Sequence, residues 1–217
     1  MNKLKKTIKE NRGFLLFILL MSVFRSAVAD YNSVPTGSML PTIIPGDQIV
    51  IDKLAYDVKV PFINHSLVRL NEPKRGEIVV FESAAAESRM VKRVIGEPGD
   101  KVALINNRLI INGQAVSYGV VGEDADILQL TEQLPNLDHE IQVYSQGVTE
   151  LDSFGEVVVP QDKYLVLGDN RQDSADSRVY GFVPRDEIIG RATKVLISFN
   201  YQQYYAPRNE RSLMPLI

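Results

Sequence analysis

The chain has 217 residues, 45% of them apolar, a length and composition that suit a globular protein with one sizeable core. It contains no cysteine, which excludes disulfide scaffolds, thiol catalysis and cysteine-ligated zinc, and its two histidines, His65 and His139, are too few for most metal sites. Of its 24 basic and 27 acidic residues, six basic and one acidic residue precede Asp30, which leaves the remainder with a net charge of about −8. A nucleic-acid partner is therefore disfavoured.

An apolar run follows a basic lead at the start of the chain. Residues 13–24 carry no charge, residues 1–12 are rich in Lys and Arg, and Ala27-Val28-Ala29 has the small residues of a signal-peptide cleavage site. One interpretation is a secretory signal that is removed. The other is an uncleaved transmembrane anchor over residues 13–29, about 25 Å of helix and slightly short for a ~30 Å hydrocarbon core. Arg25 weakens this anchor unless it snorkels to the interface. Both interpretations leave the basic lead in the cytoplasm and the rest of the chain outside it.

Beyond Asp30 the sequence is typical of a mainly β domain. Short β-branched runs are separated by turns rich in Gly, Pro, Asn and Asp, and Asn112-Gly113 has the composition of a hairpin turn. Residues 119–155 are more acidic, and residues 124–134 are predicted as a short helix within an insertion that is not expected to carry the chemistry. The clearest strand candidates are residues 48–52, 77–81, 90–95, 101–105, 108–111, 156–159, 163–167 and 194–199.

The first segment with chemical potential lies just after the apolar run. In residues 34–42, Ser38 follows Gly37 and is flanked by Pro35 and Pro41, which restrict the backbone. A Gly-Ser pair is most often an ordinary turn, so this segment alone does not indicate a nucleophile.

Lys92 interrupts an apolar strand pattern. Because side chains alternate along a strand, Met90, Lys92 and Val94 share one face, and the Lys92 amine points to the side that would otherwise be core. Burial can lower the pKa of a lysine by several units, and with a pKa of about 8 the neutral amine could take the Ser38 proton as a general base. The alternative is an exposed edge lysine that opposes aggregation.

The third segment, residues 168–178, is more polar than a turn requires. Asp176 and Arg178 could pair to hold a loop, and Ser174 could hydrogen-bond an amine. Taken alone, the Gly168-Asp169-Asn170 sequence is typical of a structural turn.

Together and in this order, the three segments and the intervening residues 75–81 resemble the bacterial type I signal peptidases, also called leader peptidases. The resemblance extends over about residues 25–200 and is weakest between residues 119 and 155. It implies a membrane-bound serine endopeptidase that acts through an acyl-enzyme, without a cofactor or a metal. In that family pattern Ser38 is the nucleophile and Lys92 is the general base of a Ser/Lys dyad.

The resemblance also implies roles for the neighbouring residues. Thr36 matches the hydroxyl residue that joins the Ser38 backbone N–H in an oxyanion hole. Ser174 matches the serine that orients the lysine amine, and the Asp176–Arg178 ion pair matches the pair that supports the site. Walls of the substrate pockets are expected at Val34, Pro35, Val80, Val91 and Ala175.

The resemblance further implies the substrate and the place of action. The substrate would be an exported preprotein whose signal peptide binds as an added strand and is cut after small residues at −1 and −3. The protein would be a single-pass protein of the bacterial cytoplasmic membrane, in contact with lipid. Its N terminus would be cytoplasmic and its catalytic domain would lie on the extracytoplasmic side.

We therefore predict an antiparallel β-sheet catalytic domain that carries an inserted smaller β-rich subdomain and follows one N-terminal transmembrane helix. The sequence predicts neither the preprotein clientele nor the oligomeric state. The predicted divisions are a cytoplasmic basic lead over residues 1–12, an anchor over 13–29, a catalytic β core over 30–105 and 156–200, an inserted subdomain over 106–155, and a C-terminal tail over 201–217.

Some features depart from the family pattern and keep alternatives open. Glu97 stands where many relatives carry an apolar residue, and Arg89 and Met90 are unusual before the dyad lysine. A specialised paralogue that serves few preproteins or a pilus-type secretion system is one alternative. An exported, non-enzymatic β-domain with a cleaved signal peptide is another. A self-cleaving SOS-type regulator is disfavoured, because a membrane segment stands in place of its DNA-binding helix-turn-helix.

Overall fold

The computed structural model describes residues 11–62, 65–147 and 149–216. Paired antiparallel strands are its dominant regular structure, so the predicted mainly β fold is confirmed. Within these ranges the α-helices are α1 (Arg12–Ala27) and α2 (Ser177–Tyr180). The strands are β1 (Ala29–Ser33), β2 (Asp47–Asp52), β3 (Asp57–Lys59), β4 (Ser66–Arg69), β5 (Ile78–Ser83), β6 (Ser88–Gly96), β7 (Lys101–Ile105), β8 (Arg108–Ile111), β9 (Gln114–Ala115), β10 (Ser117–Asp124), β11 (Ile127–Leu134), β12 (Leu137–Tyr144), β13 (Phe154–Val158), β14 (Lys163–Leu167), β15 (Val183–Pro184), β16 (Ile188–Asn200) and β17 (Ala206–Pro207).

The largest sheet has the strand order β1-β2-β16-β5-β6-β14-β15, and β17 also pairs with β16. Its central strand β5 is buried on both faces. Ile78 and Val80 pack into one core, whereas Val79 and Phe81 pack into a second core on the opposite face. Such double burial explains why β5 is a continuous apolar run instead of an alternating one. The arrangement places β6, which carries Lys92, beside a strand that is buried on both faces.

The chain leaves the large sheet after β6 and returns to it with β14. The intervening strands form a four-stranded sheet of order β13-β7-β8-β9 and a three-stranded sheet of order β10-β11-β12. Leu104 and Leu109 of the four-stranded sheet share a core with Leu165 and Leu167 of β14. The short helix predicted over residues 124–134 is wrong, because this segment is mostly β11, which pairs with both β10 and β12.

Helix α1 ends where the first sheet begins. The anchor predicted over residues 13–29 is shorter as a helix, which ends at Ala27, because Ala29 already pairs with Asp52 of β2. In the described ranges no helix combines the length and the apolar character needed to cross a membrane. Most of the predicted basic lead lies outside the described residues. The β3–β4 hairpin lies beside the end of α1, where the backbone N–H of Phe62 donates to Ser26 Oγ at 2.6 Å.

Candidate active site

Ser38 lies in the loop between β1 and β2, and buried neighbours fix its position. Val34 and Met39 are buried in the core that β2, β5 and β16 share. The backbone N–H of Val34 donates to the Asp47 carbonyl at 2.9 Å, and that of Ile43 donates to the Met39 carbonyl at 2.9 Å. The loop is thus anchored on both sides of the half-buried serine.

Lys92 lies on β6, and its side chain reaches Ser38. Its Nζ lies 2.7 Å from Ser38 Oγ and 3.1 Å from the Val91 carbonyl oxygen, and the residue is only 4% exposed. Met90 and Val94 pack into the core on the same face of β6, as strand alternation predicts. Residues 54 positions apart therefore meet at hydrogen-bond distance.

The environment of the amine favours its neutral form. Burial lowers the pKa of Lys92 to about 8, while the carboxylates of Asp176 and Asp169 oppose that shift and the Arg178 guanidinium adds to it. Among the described residues, the amine bonds to a hydroxyl and to a carbonyl and not to a carboxylate. An amine without an ion-pair partner can lose its proton close to neutral pH and accept another from Ser38.

The turn at residues 168–170 supports the Ser38 loop through hydrogen bonds. The backbone N–H of Asn170 donates to the Ser38 carbonyl at 3.1 Å, and its Nδ2 donates to the Gly37 carbonyl at 3.0 Å. A Cβ at position 168 would collide with the Ser38 carbonyl oxygen and with Ser174 Oγ, so only glycine allows this approach. Sequence reasoning identified a turn here and missed that it holds the serine.

An ion pair that sequence reasoning also missed lies next to this turn. Arg93 donates to Asp169 through Nε at 2.9 Å and through a terminal nitrogen at 2.7 Å, with side chains 0% and 1% exposed. Thr42 Oγ1 adds a hydrogen bond of 2.6 Å to the same carboxylate. The available signal was a Lys-Arg pair within an apolar strand, because alternation turns Arg93 to the face opposite Lys92.

The loop from Ser174 to Arg178 differs in part from its prediction. Asp176 and Arg178 form the expected ion pair, with contacts of 2.6 and 2.8 Å. Ser174 was expected to orient the Lys92 amine, but its Oγ donates to Asp176 Oδ2 at 2.7 Å. The hydroxyl has a single proton, which it donates to the charged carboxylate, so it has none left to donate to a neutral amine. Asp176 also accepts from the backbone N–H of Gly168 at 2.9 Å, which ties this loop to the turn.

An open cleft of about 370 Å³ passes Ser38 between the β1–β2 loop, β6 and residues 173–180. Thr36 lines it, two residues before the serine. Val80 does not line it, because its side chain is fully buried in the core beneath. Met90 and Tyr180 line the cleft and were not predicted as walls. The predicted walls that do line it are Val34, Pro35, Val91 and Ala175.

Known proteins are similar to this sequence over most of its length. A family model described as "Signal peptidase, peptidase S26" matches residues 7–197. Signal peptidase I of Rickettsia massiliae (strain Mtu5) is 35% identical, over 89% of this chain and 81% of the relative. Signal peptidase I of Pseudomonas fluorescens is 30% identical, over 92% of this chain and 75% of the relative. The crystal structure of a signal peptidase I from Enterococcus faecalis V583 matches 57% of this chain and 99% of its own, at 30% identity and a TM-score of 0.38.

The family match includes all three segments that meet at the cleft, those of Ser38, Lys92 and residues 168–178. In the part of the chain that the structure describes, no three His, Asp or Glu side chains come together as metal ligands would. The chain belongs to the signal peptidase family, peptidase S26, and is a serine peptidase of signal-peptide processing.

Proposed function

We propose that this protein is a membrane-attached endopeptidase that removes signal peptides from exported preproteins, with Ser38 as nucleophile and Lys92 as general base. The observation that carries the proposal is the 2.7 Å distance between Lys92 Nζ and Ser38 Oγ in an open cleft. Burial lowers the pKa of this amine to about 8, which gives the base a usable neutral fraction. A hydroxyl and a neutral base at this distance form an activated nucleophile.

Acylation follows from that geometry. The neutral Lys92 amine takes the Ser38 proton while Oγ attacks the carbonyl carbon of the scissile bond. The Ser38 backbone N–H and the Thr36 hydroxyl stabilise the negative charge that develops on the former carbonyl oxygen. As the C–N bond breaks, the Lys92 ammonium gives its proton to the leaving amine, and the signal peptide remains on Ser38 as an ester.

Deacylation uses the same base. Lys92 is neutral again after it has protonated the leaving amine, so it takes a proton from an incoming water that attacks the ester carbonyl. Collapse of the second intermediate returns that proton to Ser38 Oγ and releases the signal peptide as a carboxylic acid. We assign Ser174, Asp176 and Arg178 to support of the site, because their hydrogen bonds hold the loop against Gly168.

The edge of β6 offers a place for an extended substrate. β14 pairs with β6 at Arg93, Val94 and Gly96, whereas residues 88–92 of β6 line the cleft. A signal peptide laid along this edge would gain main-chain hydrogen bonds and send alternate side chains to the same wall. Val34 and Val91 line that wall with little exposed surface, which supports a preference for small residues at −1 and −3.

The surface of α1 supports attachment to the bacterial cytoplasmic membrane. Eight consecutive apolar side chains, from Phe14 to Met21, are 44% to 64% exposed. Leaving so much apolar surface in water is unfavourable by about 25 cal/mol per Å², and lipid would cover it. Phe62, which lies beside the end of α1, is 67% exposed. The basic lead places the N terminus in the cytoplasm and the sheets outside, where anchoring raises the effective concentration of membrane-bound preproteins.

Cleavage of a preprotein with an Ala-x-Ala site tests the proposal. The detergent-solubilised full chain should cut after the second alanine, and Ser38→Ala should lose activity by roughly 10³-fold or more. The acid limb of the pH–rate profile should have its midpoint near the pKa of Lys92, about 8. The exposed variants Ser117→Ala and Lys101→Ala serve as controls and should retain wild-type rates. Full activity in Ser38→Ala would refute the assignment of the nucleophile.

A further inference from the structure

We infer that Glu132, in the three-stranded sheet formed by β10, β11 and β12, is a positioning residue for the nucleophile. This inference rests on the proposed function, because Glu132 would act through Ser38. Glu132 lies on β11 and is fully buried. It belongs to the acidic stretch of residues 119–155, which was not expected to carry the chemistry, and among the described residues it forms no hydrogen bond with Ser38 or Lys92.

A buried ion pair joins Glu132 of the three-stranded sheet to Arg171, which follows the turn at residues 168–170. Arg171 donates to both carboxylate oxygens of Glu132, at 2.6 and 2.7 Å, and both side chains are 0% exposed. Tyr118 Oη adds a hydrogen bond of 2.6 Å to Glu132 Oε2. A two-pronged contact between planar groups fixes orientation as well as distance. Glu132 therefore determines where Arg171 lies.

Arg171 is in turn connected to residues 168–170, which precede it. Its backbone N–H donates to the Gln142 carbonyl of β12 at 3.0 Å, and the Gln142 N–H donates to the Asp169 carbonyl at 2.9 Å. Its Nε donates to the Gly168 carbonyl at 3.3 Å. The backbone of residues 168–171 is thus clamped to the three-stranded sheet on one side and to the Arg171 side chain on the other.

Asn170 connects this turn to the proposed oxyanion hole. Asn170 holds the Ser38 carbonyl through its N–H and the Gly37 carbonyl through Nδ2. The Gly37 carbonyl and the Ser38 N–H belong to one planar peptide group, so fixing the carbonyl also fixes the direction of the N–H. That N–H is the proposed donor to the oxyanion. A displaced turn would weaken the stabilisation of the transition state more than the binding of the substrate.

The surroundings of the pair make it rigid. His139 Nε2 lies 3.3 Å from Glu132 Oε1 and 3.8 Å from Asp169 Oδ1, and Arg93 pairs with Asp169. Two carboxylates and two guanidinium groups therefore balance each other, beside a histidine that is buried. Buried charges tolerate little displacement, since each loses its partner as it moves. The cluster suits a part that must stay in place during turnover.

Removal of both charges separates positioning from stability. Glu132→Leu combined with Arg171→Met replaces the pair with apolar side chains, a change that proteins often tolerate without loss of stability. We expect this double variant to fold, with kcat reduced at least tenfold and KM within twofold of the wild type. Glu132→Gln, which keeps the shape of the side chain, should reduce kcat in the same direction. Glu140→Gln, an exposed change on β12, is the matched control and should leave kcat unchanged.

These measurements distinguish a positioning role of Glu132 from a purely structural one. A folded double variant with kcat within twofold of the wild type would overturn the inference, because Glu132 would then be structural only. If the double variant does not fold, Glu132→Gln decides by the same thresholds. The acid limb of the pH–rate profile should keep its wild-type midpoint, and a shifted midpoint would overturn the inference by placing the effect on Lys92. Activity that survives Ser38→Ala would instead refute the proposed function itself.

Discussion

The buried charged groups near the site are of two kinds. The ion pairs Glu132–Arg171 and Asp169–Arg93 form a compensated set, whereas Lys92 forms no ion pair among the described residues. Although burial alone would raise the pKa of Glu132 and that of Asp169, Arg171 and Arg93 hold both values below the ordinary one. Lys92 has no such partner among the described residues, and burial lowers its pKa to about 8. A compensated charge stays charged and fixes geometry. An uncompensated one sits near its titration point and can exchange a proton.

The largest expected effect is on Lys92. Lys92→Met should reduce kcat about 10⁴-fold, since it removes the proposed general base. It should also raise the free energy of unfolding at pH 7 by about 3 kcal/mol, because a shift from 10.5 to about 8 disfavours the folded state below pH 8. The gain should shrink between pH 8 and 10.5 and vanish above. Urea unfolding at pH 7 and 10.5 measures it, with exposed Lys101→Met as the control. A variant less stable than the wild type at pH 7 would contradict the comparison.

The compensated set should respond in the opposite sense. Arg93→Met leaves the Asp169 carboxylate buried without its guanidinium, which should lower the free energy of unfolding by about 3–5 kcal/mol. Arg93→Met combined with Asp169→Leu should recover most of that loss, because neither charge is then stranded. Guanidinium chloride titration of the two variants gives both numbers. Equal instability of the single and double variants would mean that packing, and not charge, dominates here.

His139 adds a pH dependence to the compensated set. Burial lowers its pKa to about 4, Arg93 and Arg171 contribute to that lowering, and Asp169 and Glu132 oppose it. Because the unfolded chain binds this proton at a pKa near 6.5, the free energy of unfolding should fall by about 3 kcal/mol as pH falls from 6.5 to 4. Unfolding titrations at half-unit pH steps should show this slope in wild type and in exposed His65→Gln. An equal slope in His139→Gln would assign it to the carboxylates instead.

The smallest effect is expected at an exposed ion pair. Arg89 and Glu82 lie 2.6 Å apart at the end of the β5–β6 hairpin, but their side chains are 36% and 49% exposed. Glu82→Gln should change the free energy of unfolding by at most about 1 kcal/mol, and 1 M salt should abolish the difference. Thermal unfolding at low and high salt checks this. A loss as large as that of Arg93→Met would show that distance, and not burial, governs these pairs.

Sequence patterns identified Lys92 but not the residues of the compensated set. Lys92 stood out because one charge broke the alternation of an apolar strand, and the face on which it lies followed from that alternation. In β11 the same argument from alternation failed to identify a strand, since the inward-facing residues are Leu130, Glu132 and Leu134. A charged residue at an inward position hid the period of two, and a short helix was predicted instead. Its partner, Arg171, lies 39 positions away, where local patterns carry no information.

The walls of the cleft were also only partly predictable from the sequence. Alternation indicates which side chains share a face of β5, but it does not indicate which face is covered. Val80 and Val91 are direct partners across β5 and β6, yet Val91 lines the cleft and Val80 is fully buried. Only the tertiary arrangement distinguishes them.

The site is assembled from stretches that are far apart along the chain. Lys92 follows Ser38 by 54 positions, and Asn170 follows Gly37 by 133. Ribosomes make the chain from its N terminus, so a nascent chain that has not yet reached Asn170 lacks the side chain and the amide that hold the serine loop. Such a chain contains Ser38 but has no assembled site. The order of segments along the chain thus prevents the site from assembling before residue 170 has been made.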